Sequence, residues 1–411
     1  MKVLLLGNGF DLYHYLPTTY YCFLTITEYL VRGDTSKSTR KQITIEDKPL
    51  GRIMAEVENN CPMLQESYIR YKKEYDSMIL EEKEQSSLIK MCENNPWWRF
   101  MVEECKNDSN WIDVEKNIRF VIGVFDSFLI DDDRWKQYNG RLSFKHNVSR
   151  VTEKVVLDYF DFFEEEIIDN ISCWGGISNR KVVKEKYTIK DRFENVKRID
   201  KNKVVESLFE LLKQFAQILE FYLYHFVENV IEKRLSEGPL EKSNSFFNSF
   251  QTVISFNYTK TYENQYKADS VVHLHGKIGD GVILGINPDS DDEKGSAAQY
   301  ILFKKYYQRL ISDTFDSFRN TIELMEADKK RGLADDVYVL GHSLDITDED
   351  IIREVFSLAG SIYIYYHRPE EEEKYIRNLI RIFGKKEFDD LIRKQRLTFY
   401  SIEKISESSI M

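Results

Sequence analysis

The sequence predicts an α/β protein in which a doubly wound parallel sheet is interrupted by a large all-α insertion. Residues Lys2–Leu6 form a short apolar run before a glycine turn, which is typical of a buried parallel strand. Strand signals then vanish for nearly half of the chain and return after about residue 250, where they alternate with helical periodicity. Only 7 prolines and 18 glycines in 411 residues favour long helices over the tight turns of an all-β protein.

The N-terminal segment predicts a strand, a turn and a helix in that order. After the apolar run, Gly7 and Gly9 mark the turn, and Tyr20–Val31 carries apolar residues at helical spacing. Asp11 and Thr18 are both candidates for the N-cap of this helix. The chain therefore opens as a β-turn-α unit.

The middle of the chain, from about residue 52 to 237, has helical periodicity in almost every segment. Val114–Ile130 and Val151–Ile168 are predicted to be amphipathic helices. Val204–Leu235 is apolar on most of its circumference, so we expect this helix to be buried against partners.

The last third of the chain supplies the remaining strands of the sheet. The predicted strands are Thr252–Phe256, Val271–Leu274, Val282–Ile286, Val337–Leu340, Ser361–Tyr366 and Leu397–Tyr400. Helical stretches lie between several of them, as in a doubly wound sheet. We therefore predict one discontinuous Rossmann-like domain, residues 1–48 plus 249–411, and a helical insertion domain, residues 49–248, built as a bundle and not as a second sheet.

Composition excludes several classes of protein. The chain has 58 Lys and Arg against 69 Asp and Glu, a formal net charge of −11, which argues against a general polyanion binder. The five cysteines show no C-x-x-C spacing, so no disulfide framework or zinc module is indicated, and a cytoplasmic protein is expected. No stretch approaches 18 uninterrupted apolar residues, so no membrane span is predicted.

Four predicted strands end in unusually polar sequences. They are Gly7-Asn8-Gly9-Phe10-Asp11, Asn257-Tyr258-Thr259, His273-Leu274-His275-Gly276 and Gly341-His342-Ser343-Leu344-Asp345. Because ligands of open parallel sheets bind beyond the carboxyl ends of the strands, we expect these four segments to converge on one crevice.

The first of these segments suits a phosphate, although it also suits a tight structural turn. Gly7 and Gly9 would let the backbone approach a pyrophosphate held at a helix N-terminus. The third glycine of a dinucleotide fingerprint is missing, since Tyr13 and His14 stand near its place. Both interpretations stay open at this point.

Asn257 and His275 are the candidates for catalysis. An amide can hold a ribose hydroxyl or a water, and an imidazole can remove its proton. An Asn after a strand can instead cap the next helix, and His275 can simply bond a turn. His273 points to the other side of its strand by alternation and is interpreted as a core or subunit-contact residue. No metal site is predicted, and Ser343 is interpreted as a donor to a phosphate or ribose.

Several segments together resemble the AbiH family of bacteriophage abortive infection proteins. They are GNGFDLYHYLPTTY (7–20), ISFNYTKTYE (254–263), VVHLHG (271–276), ILGIN (283–287) and VLGHSLDITDEDII (339–352). NWIDVEKNI (110–118) resembles a Trp-x-x-x-Glu element of that family, in which Trp111 and Glu115 would share one helix face.

The same series resembles, more distantly, the sirtuin-like NAD-binding domains of antiviral effectors. By that resemblance the segment from Gly7 to Asp11 would line the phosphates, and Asn257 and His275 would be the catalytic pair. Gly341, His342 and Ser343 would touch the cofactor. The resemblance implies that NAD is a ligand or substrate, with no prosthetic group. One departure is Thr259, which stands where those sites carry an acidic residue; Asp11 is the candidate to replace it.

The sequence thus predicts an antiphage effector that binds NAD or a related nucleotide and hydrolyses its nicotinamide-ribose bond. A phage-derived trigger and a homo-oligomeric switch are expected partners, because a free toxin must be restrained before infection. Two alternatives stay open: a nucleotide-gated sensor that leaves NAD intact, and a nuclease that uses His275 and the basic stretch Arg180–Lys203. That stretch has ten Lys and Arg against four Asp and Glu, but little aromatic interleaving, so a solvated loop is favoured over nucleic acid binding.

Overall fold

The chain is described by a computed structural model over residues 1–33, 45–107, 113–130, 135–138, 141–144, 151–169, 177–190, 197–268, 271–286, 300–312 and 314–407. Two compact units are present. The first consists of Met1–Ile89, Ala216–Ile283 and Lys305–Met411, and the second consists of Lys90–Phe215 and Leu284–Lys304. The domain division at residues 48 and 249 stays a prediction.

Strands and helices follow one another along the whole described chain. Up to residue 107 they are β1 (Lys2–Leu6), α1 (Gly9–Tyr13), α2 (Tyr20–Arg32), β2 (Lys48–Pro49), α3 (Leu50–Val57), α4 (Pro62–Arg70), α5 (Lys72–Asp76), β3 (Ile79–Leu80), α6 (Glu82–Asn94) and α7 (Pro96–Asn107). Up to residue 237 they are α8 (Val114–Ile130), β4 (Trp135–Tyr138), β5 (Arg141–Phe144), α9 (Val151–Tyr159), β6 (Phe163–Asp169), β7 (Ile177–Val183), β8 (Thr188–Lys190), β9 (Lys197–Ile199), α10 (Lys201–Leu223) and α11 (Asn229–Glu237). The remainder are β10 (Thr252–Ser255), α12 (Thr261–Tyr266), β11 (Val271–His273), β12 (Gly276–Lys277), β13 (Gly281–Val282), α13 (Lys305–Ile311), α14 (Thr314–Lys330), β14 (Asp335–Leu340), α15 (Glu349–Leu358), β15 (Ala359–Tyr366), α16 (Pro369–Arg393), β16 (Leu397–Ser401) and α17 (Glu403–Glu407).

The first unit is built on a six-stranded parallel sheet with the order β11-β10-β1-β14-β15-β16. Numbered by their own order in the chain, these strands run 3-2-1-4-5-6, which is the order of doubly wound dinucleotide-binding sheets. The predicted parallel α/β sheet is therefore confirmed. The strand order reverses between β1 and β14, and the carboxyl ends of these two strands flank the switch point.

Both faces of this sheet are buried, which explains why β1 is a continuous apolar run. Val3 and Leu5 pack on one face with residues of α14, α15 and α16. Leu4 and Leu6 pack on the other face with Phe10 and Phe247. Each fully buried side chain of this kind contributes about 1.5–3 kcal/mol relative to an exposed one. The core thus fixes the strand ends on which the candidate site is built.

The expectation of an all-α insertion is wrong for residues 135–199. These residues include an antiparallel four-stranded sheet, β4-β5-β7-β6, and the pair β8-β9. The predicted helix Val151–Ile168 ends at Tyr159, after which Asp161 has a left-handed φ of 53°. Phe162 then packs its ring against Phe125, Phe128 and Tyr187. The strand that follows depends on its partner β7, and local periodicity carries no signal for such a non-local pairing.

Two helical predictions are confirmed, and one strand prediction is corrected. The predicted helix Val114–Ile130 is α8, with the same bounds. The predicted helix Val204–Leu235 is present as α10 and α11, joined by a π-helical turn at Tyr224–Glu228. Val282–Ile286 does not join the six-stranded sheet, because β13 pairs with β12 in a short hairpin. No helix among the described residues is long and apolar enough to cross a bilayer.

Candidate functional site

Two loops at the carboxyl end of the sheet are locked together. One follows β1 and the other follows β14, and they flank the point where the strand order reverses. The N–H of Gly7 donates to the carbonyl oxygen of Leu340 at 3.0 Å, and the N–H of Gly9 donates to that of Gly341 at 2.8 Å. This loop pair fixes the backbone at the carboxyl ends of β1 and β14, on which the site is built.

Glycine is required in this loop pair by the closeness of the two backbones. Gly341 has a φ of +70°, and a Cβ there would lie 2.3 Å from the backbone nitrogen of Phe10. A Cβ on Gly7 would lie 2.5 Å from the Cα of His342. Neither position can accept a side chain without movement of backbone. Because the amides of Gly7 and Gly9 already donate to carbonyls, a phosphate at this loop needs other donors.

Asp11 is the centre of the first polar group, which we call the Asp11 group: Asp11, Asn257, Thr259 and Thr261. Thr259 donates its hydroxyl to Oδ2 of Asp11 at 2.7 Å, and Thr261 donates to the hydroxyl of Thr259 at 3.0 Å. Asp11 comes from α1, and the other three residues follow β10 or begin α12. The fold therefore brings the carboxyl group of Asp11 beside Thr259.

Burial decides the protonation of Asp11. Removal from water raises its pKa from 3.8 to about 6, while hydrogen bonds from Thr259, Thr261 and Asn257 act in the opposite direction. Oδ1 of Asp11 and Oδ1 of Asn257 are both buried, and neither has a hydrogen-bond partner among the described residues. Buried acceptors of this kind are normally satisfied, so the pair is suited to receive hydroxyl or water donors.

A further carboxyl group holds the backbone around this group. Glu228, the last residue of the π-helical turn, accepts from the N–H of Lys260 at 2.5 Å and from the side-chain amide of Asn264 at 3.3 Å. Burial, reinforced by the charge of Asp11, raises the pKa of Glu228 to about 7 although the Lys260 hydrogen bond opposes this. A π-helical turn often marks a functional position, and here it brings Glu228 to the start of α12.

His273 has the structural role that alternation predicted. Its Nδ1 lies 3.0 Å from the carbonyl oxygen of Asn257, and its Nε2 lies 2.7 Å from Oε1 of Glu263. Both ring nitrogens are thus occupied, and the prediction of a satisfied core histidine is confirmed. The ring fixes the backbone that presents the Asn257 side chain.

Asp348 is the centre of the second polar group, which we call the Asp348 group: His275, Lys305, His342 and Asp348. Oδ1 of Asp348 lies 3.0 Å from Nε2 of His275 and 3.6 Å from Nζ of Lys305. Oδ2 of Asp348 lies 3.5 Å from Nε2 of His342. All four side chains are buried. One carboxylate therefore orients two histidines and one lysine.

The charges in this group fix the protonation of its members. Burial alone would raise the pKa of Asp348, but Lys305, His275 and His342 hold it well below its usual range. Burial, together with the charge of Lys305, lowers the pKa of His275 to about 4, so the ring is neutral at pH 7. An ionised carboxylate only accepts hydrogen bonds, so Nε2 of His275 carries the proton and Nδ1 keeps the lone pair.

The two predicted catalytic residues belong to different groups. Asn257 is part of the Asp11 group and His275 of the Asp348 group, and neither of these two described residues hydrogen-bonds to the other. The ring of Phe256 packs against the Asp348 group, with its centroid 5.4 Å from that of His275 and 4.0 Å from that of His342. A ligand that used both catalytic candidates would have to contact both groups.

The other predicted cofactor contacts differ in their surroundings. Asn8 and Ser343 are exposed, and the side-chain oxygen of Asn8 accepts from Thr18 at 2.5 Å. Phe10 packs in the apolar cluster with Phe247 and not against the polar groups. Trp111 lies outside the described residues.

Part of the basic stretch of the second unit is paired with carboxylates where the structure describes it. Lys181, Lys184 and Lys197 each form an ion pair, with Asp158, Asp161 and Glu185 respectively. Residues 191–196 lie outside the described part. These pairs favour the solvated-loop interpretation over a phosphate-binding surface.

Four residues that shape the site are not among those predicted from the sequence: Lys305, Arg309, Asp348 and Glu228. Asp348 lies in the acidic segment DITDED (345–350), which begins at the last residue of the fourth polar strand end. This cluster of carboxylates close to a strand end is the sequence signal that could have identified Asp348. The others lie on helices far from any strand end, where a lysine, arginine or glutamate has no distinguishing sequence pattern.

Comparison with protein families decides the relationship of the chain. The model of the family described as bacteriophage abortive infection AbiH matches residues 3–366. The chain belongs to the AbiH family. The match runs from β1 to the end of β15 and so includes both polar groups. An abortive-infection role against phage follows from this membership. Searches of curated proteins and of solved structures gave no match.

Proposed function

We propose that this AbiH protein binds NAD or a related nucleotide at the carboxyl edge of its parallel sheet and hydrolyses the nicotinamide-ribose bond. The observation that carries the proposal is the pair of buried acceptors, on Asp11 and Asn257, that have no partner among the described residues. They lie beyond the ends of β1 and β10, beside the switch point at which doubly wound sheets bind their ligands.

The chemistry of these acceptors fits a ribose. A ribose diol and a water molecule both offer O–H donors, whereas a buried carboxylate and amide oxygen without partners require donors. The hydroxyl of Thr259 already donates to Oδ2 of Asp11, and that of Thr261 donates to Thr259. Oδ1 of Asp11 and Oδ1 of Asn257 are thereby left for the ligand.

Hydrolysis at such a site requires little covalent chemistry from the protein. The bond between ribose C1′ and the nicotinamide nitrogen breaks, nicotinamide leaves as a neutral molecule, and a water oxygen bonds to C1′ and releases one proton. The transition state is oxocarbenium-like, so orientation of the ribose and one proton acceptor suffice. Asp11, with a pKa of about 6, is the stronger base near neutral pH and accepts this proton.

His275 orients the substrate in this proposal. Its Nδ1 carries a lone pair and accepts a hydroxyl hydrogen bond, because Asp348 holds the proton on Nε2. With a pKa of about 4, the ring stays neutral through the physiological range. The resemblance to sirtuin-like NAD-binding domains of antiviral effectors supports the inclusion of Asn257 and His275 in the site, whereas the proton-acceptor role of Asp11 is argued from its raised pKa.

Abortive infection supplies the biological setting. Loss of NAD stops the metabolism of an infected cell before phage are released, which is the outcome that abortive infection requires. Such an activity must be restrained beforehand, so the proposal includes a phage-derived trigger and assembly into a homo-oligomer.

The test is the NAD concentration over time with purified protein, with and without phage lysate. Wild type is compared with His275→Ala, Asn257→Ala and the surface control Glu349→Gln, whose residue forms an exposed pair with Arg353. We expect wild type and the control to convert NAD to nicotinamide and ADP-ribose, and both site variants to lose at least about a hundredfold in rate.

The failing outcomes separate the alternatives. NAD that binds wild type but stays intact with an active lysate would replace hydrolysis by the sensor hypothesis. NAD that does not bind under any condition would remove the nucleotide proposal altogether. Cleavage of added RNA or DNA that needs His275 would establish the nuclease hypothesis instead.

A further inference from the structure

Arg309 on α13 has the least satisfied charged side chain in the described part of the first unit. It is fully buried, with 0% of its surface exposed. Nη2 donates to Oδ2 of Asp350 at 2.5 Å. Nε and Nη1 are buried and have no hydrogen-bond partner among the described residues. Three N–H hydrogens of a guanidinium are therefore directed at no acceptor in that part of the chain.

Unpaired buried donors of this kind are costly, and in a charged group the cost is greater. Arginine cannot relieve it by losing its proton, because the guanidinium group stays protonated in proteins. A buried arginine whose N–H groups have no acceptor among the described residues is therefore expected to hold one from a bound ligand. Guanidinium groups match phosphate and carboxylate oxygens best, since they bind both in a planar, charge-assisted way.

The position of Arg309 places that acceptor beside the Asp348 group. Its partner Asp350 follows Asp348 by two residues at the start of α15. The positive charge of Arg309 also contributes to the lowered pKa of His275. Lys305 lies one helical turn before Arg309 on α13 and contacts Asp348. An anion on Arg309 would therefore lie close to His275.

The loop after β1 explains why an anionic ligand would need Arg309. The amides of Gly7 and Gly9, which a phosphate would ordinarily use, donate to Leu340 and Gly341. We propose that Arg309 binds the anionic oxygen group of the ligand, a phosphoryl group, in place of the glycine-loop amides. This assignment rests on the proposed function for its ligand, while free phosphate or pyrophosphate has the same chemistry.

The test measures equilibrium binding to the full chain by calorimetry, with three probes: ADP-ribose, inorganic pyrophosphate and adenosine. Arg309→Gln removes the charge, and Arg309→Lys keeps it without the planar fork. Arg353→Gln is the matched control, because that arginine forms an exposed pair with Glu349 at 2.6 Å. Thermal unfolding of each variant without ligand shows whether it folds.

We expect Arg309→Gln to weaken ADP-ribose and pyrophosphate by about tenfold to a hundredfold, the range for a lost charge-assisted hydrogen bond. Arg309→Lys should fall between this variant and wild type. Adenosine, which has no phosphoryl group, should bind all variants equally, and Arg353→Gln should match wild type throughout.

Asp350→Asn separates ligand binding from a structural role. If Arg309 serves only to pair with Asp350, this variant weakens the anionic probes as much as Arg309→Gln does, and the assignment is overturned. If Arg309 binds the ligand, Asp350→Asn leaves the affinity for pyrophosphate equal or higher, because a competing carboxylate is gone.

The outcomes also distinguish this assignment from the proposed function. Wild-type affinity for ADP-ribose in Arg309→Gln overturns the arginine assignment and leaves nucleotide binding intact. Pyrophosphate binding that depends on Arg309, without any binding of ADP-ribose, supports an anion site and overturns the nucleotide. Absence of binding by all three probes to wild type overturns both.

Discussion

Asp11 and Asp348 lie at the same edge of the sheet, are both buried, and have opposite protonation behaviour. Asp11 has hydroxyl and amide neighbours, and burial raises its pKa to about 6. Asp348 has a lysine and two histidines, which hold its pKa well below the usual range. Because both carboxyl groups are buried, the difference between their neighbours decides which of the two can exchange a proton near neutral pH.

In the proposed function, this difference gives the two carboxyl groups different roles. A carboxyl group whose pKa lies near the working pH can accept and return a proton, whereas a permanently ionised one can only orient its neighbours. Asp11 thus fits the proton-transfer role, and Asp348 fits the positioning of His275 and His342. Four substitutions test this contrast.

Asp348→Asn should have the largest effect on stability. It removes the carboxylate that lies against His275, Lys305 and His342, and breaking a buried ion pair typically costs about 3–5 kcal/mol. The free energy of unfolding in urea at pH 7 measures this loss. The neighbouring exposed carboxylate provides the control, since Glu349→Gln should cost less than about 1 kcal/mol. If both variants lose a similarly small free energy of unfolding, Asp348 does not stabilise the buried group as argued.

Gly341→Ala should destabilise the protein by disturbing the loop pair that lies beneath both polar groups. The new Cβ would lie 2.3 Å from a backbone nitrogen at a φ of +70°, so strain and overlap together should cost about 2–4 kcal/mol. Gly332 has a similar φ of +78°, but a Cβ at that position would have no heavy atom of the described residues within 4 Å. Gly332→Ala should therefore cost only about 1 kcal/mol. Thermal unfolding of both variants tests whether close packing, and not φ alone, requires Gly341.

Asp11→Asn should change stability in the opposite direction from Asp348→Asn. A pKa raised from 3.8 to about 6 means that wild type loses stability as the pH rises from about 4 through 6, by at most about 3 kcal/mol. The amide carries no charge, so the variant should gain up to this amount at pH 8 and little at pH 4.

Urea unfolding at the two pH values measures the difference for Asp11→Asn. Asp280→Asn, at a 67% exposed side chain, should change little at either pH. A gain for Asp11→Asn that is the same at pH 4 and pH 8 would show that the Asp11 carboxyl does not have a raised pKa.

Thr259→Val should have the smallest effect on stability, and this effect should act through the pKa of Asp11. It removes the hydroxyl that donates to Oδ2 of Asp11, and loss of a donor to the charged form raises a carboxyl pKa further, by about one unit. The pH-dependent loss of stability should then extend to higher pH than in wild type. Thr259→Ser keeps the hydroxyl and should retain the wild-type profile.

Much of the first unit could be predicted from the sequence. Lys2–Leu6 and Val337–Leu340 are short, apolar and followed by glycine. These features predict that both segments are buried parallel strands whose carboxyl ends lie at the same edge of the sheet. In the second unit, the helix Val114–Ile130 was predicted with its observed bounds because its apolar period is local. In contrast, β6 and β7 form strands because they pair with each other, and the local spacing of apolar residues does not predict such a pairing.

The candidate site was predictable only where it lies at strand ends. Asn257, His275 and Asp11 follow strands, so topology placed them at one edge. That edge did not reveal which of them are neighbours: Asp11 pairs with Thr259, and His275 pairs with Asp348. The pKa of each group follows from burial and partners that only the fold brings together, as with Lys305 and Glu228.

The pH dependence of nicotinamide release from NAD, measured between pH 5 and 8 in the presence of phage lysate, tests the central claim most directly. We expect the wild-type rate to rise with pH around a midpoint near 6, as the Asp11 carboxyl ionises. In Thr259→Val the midpoint should move upward by about one unit. A wild-type rate that is constant over this range, or a midpoint that Thr259→Val leaves unchanged, would contradict the role of Asp11 as the proton acceptor.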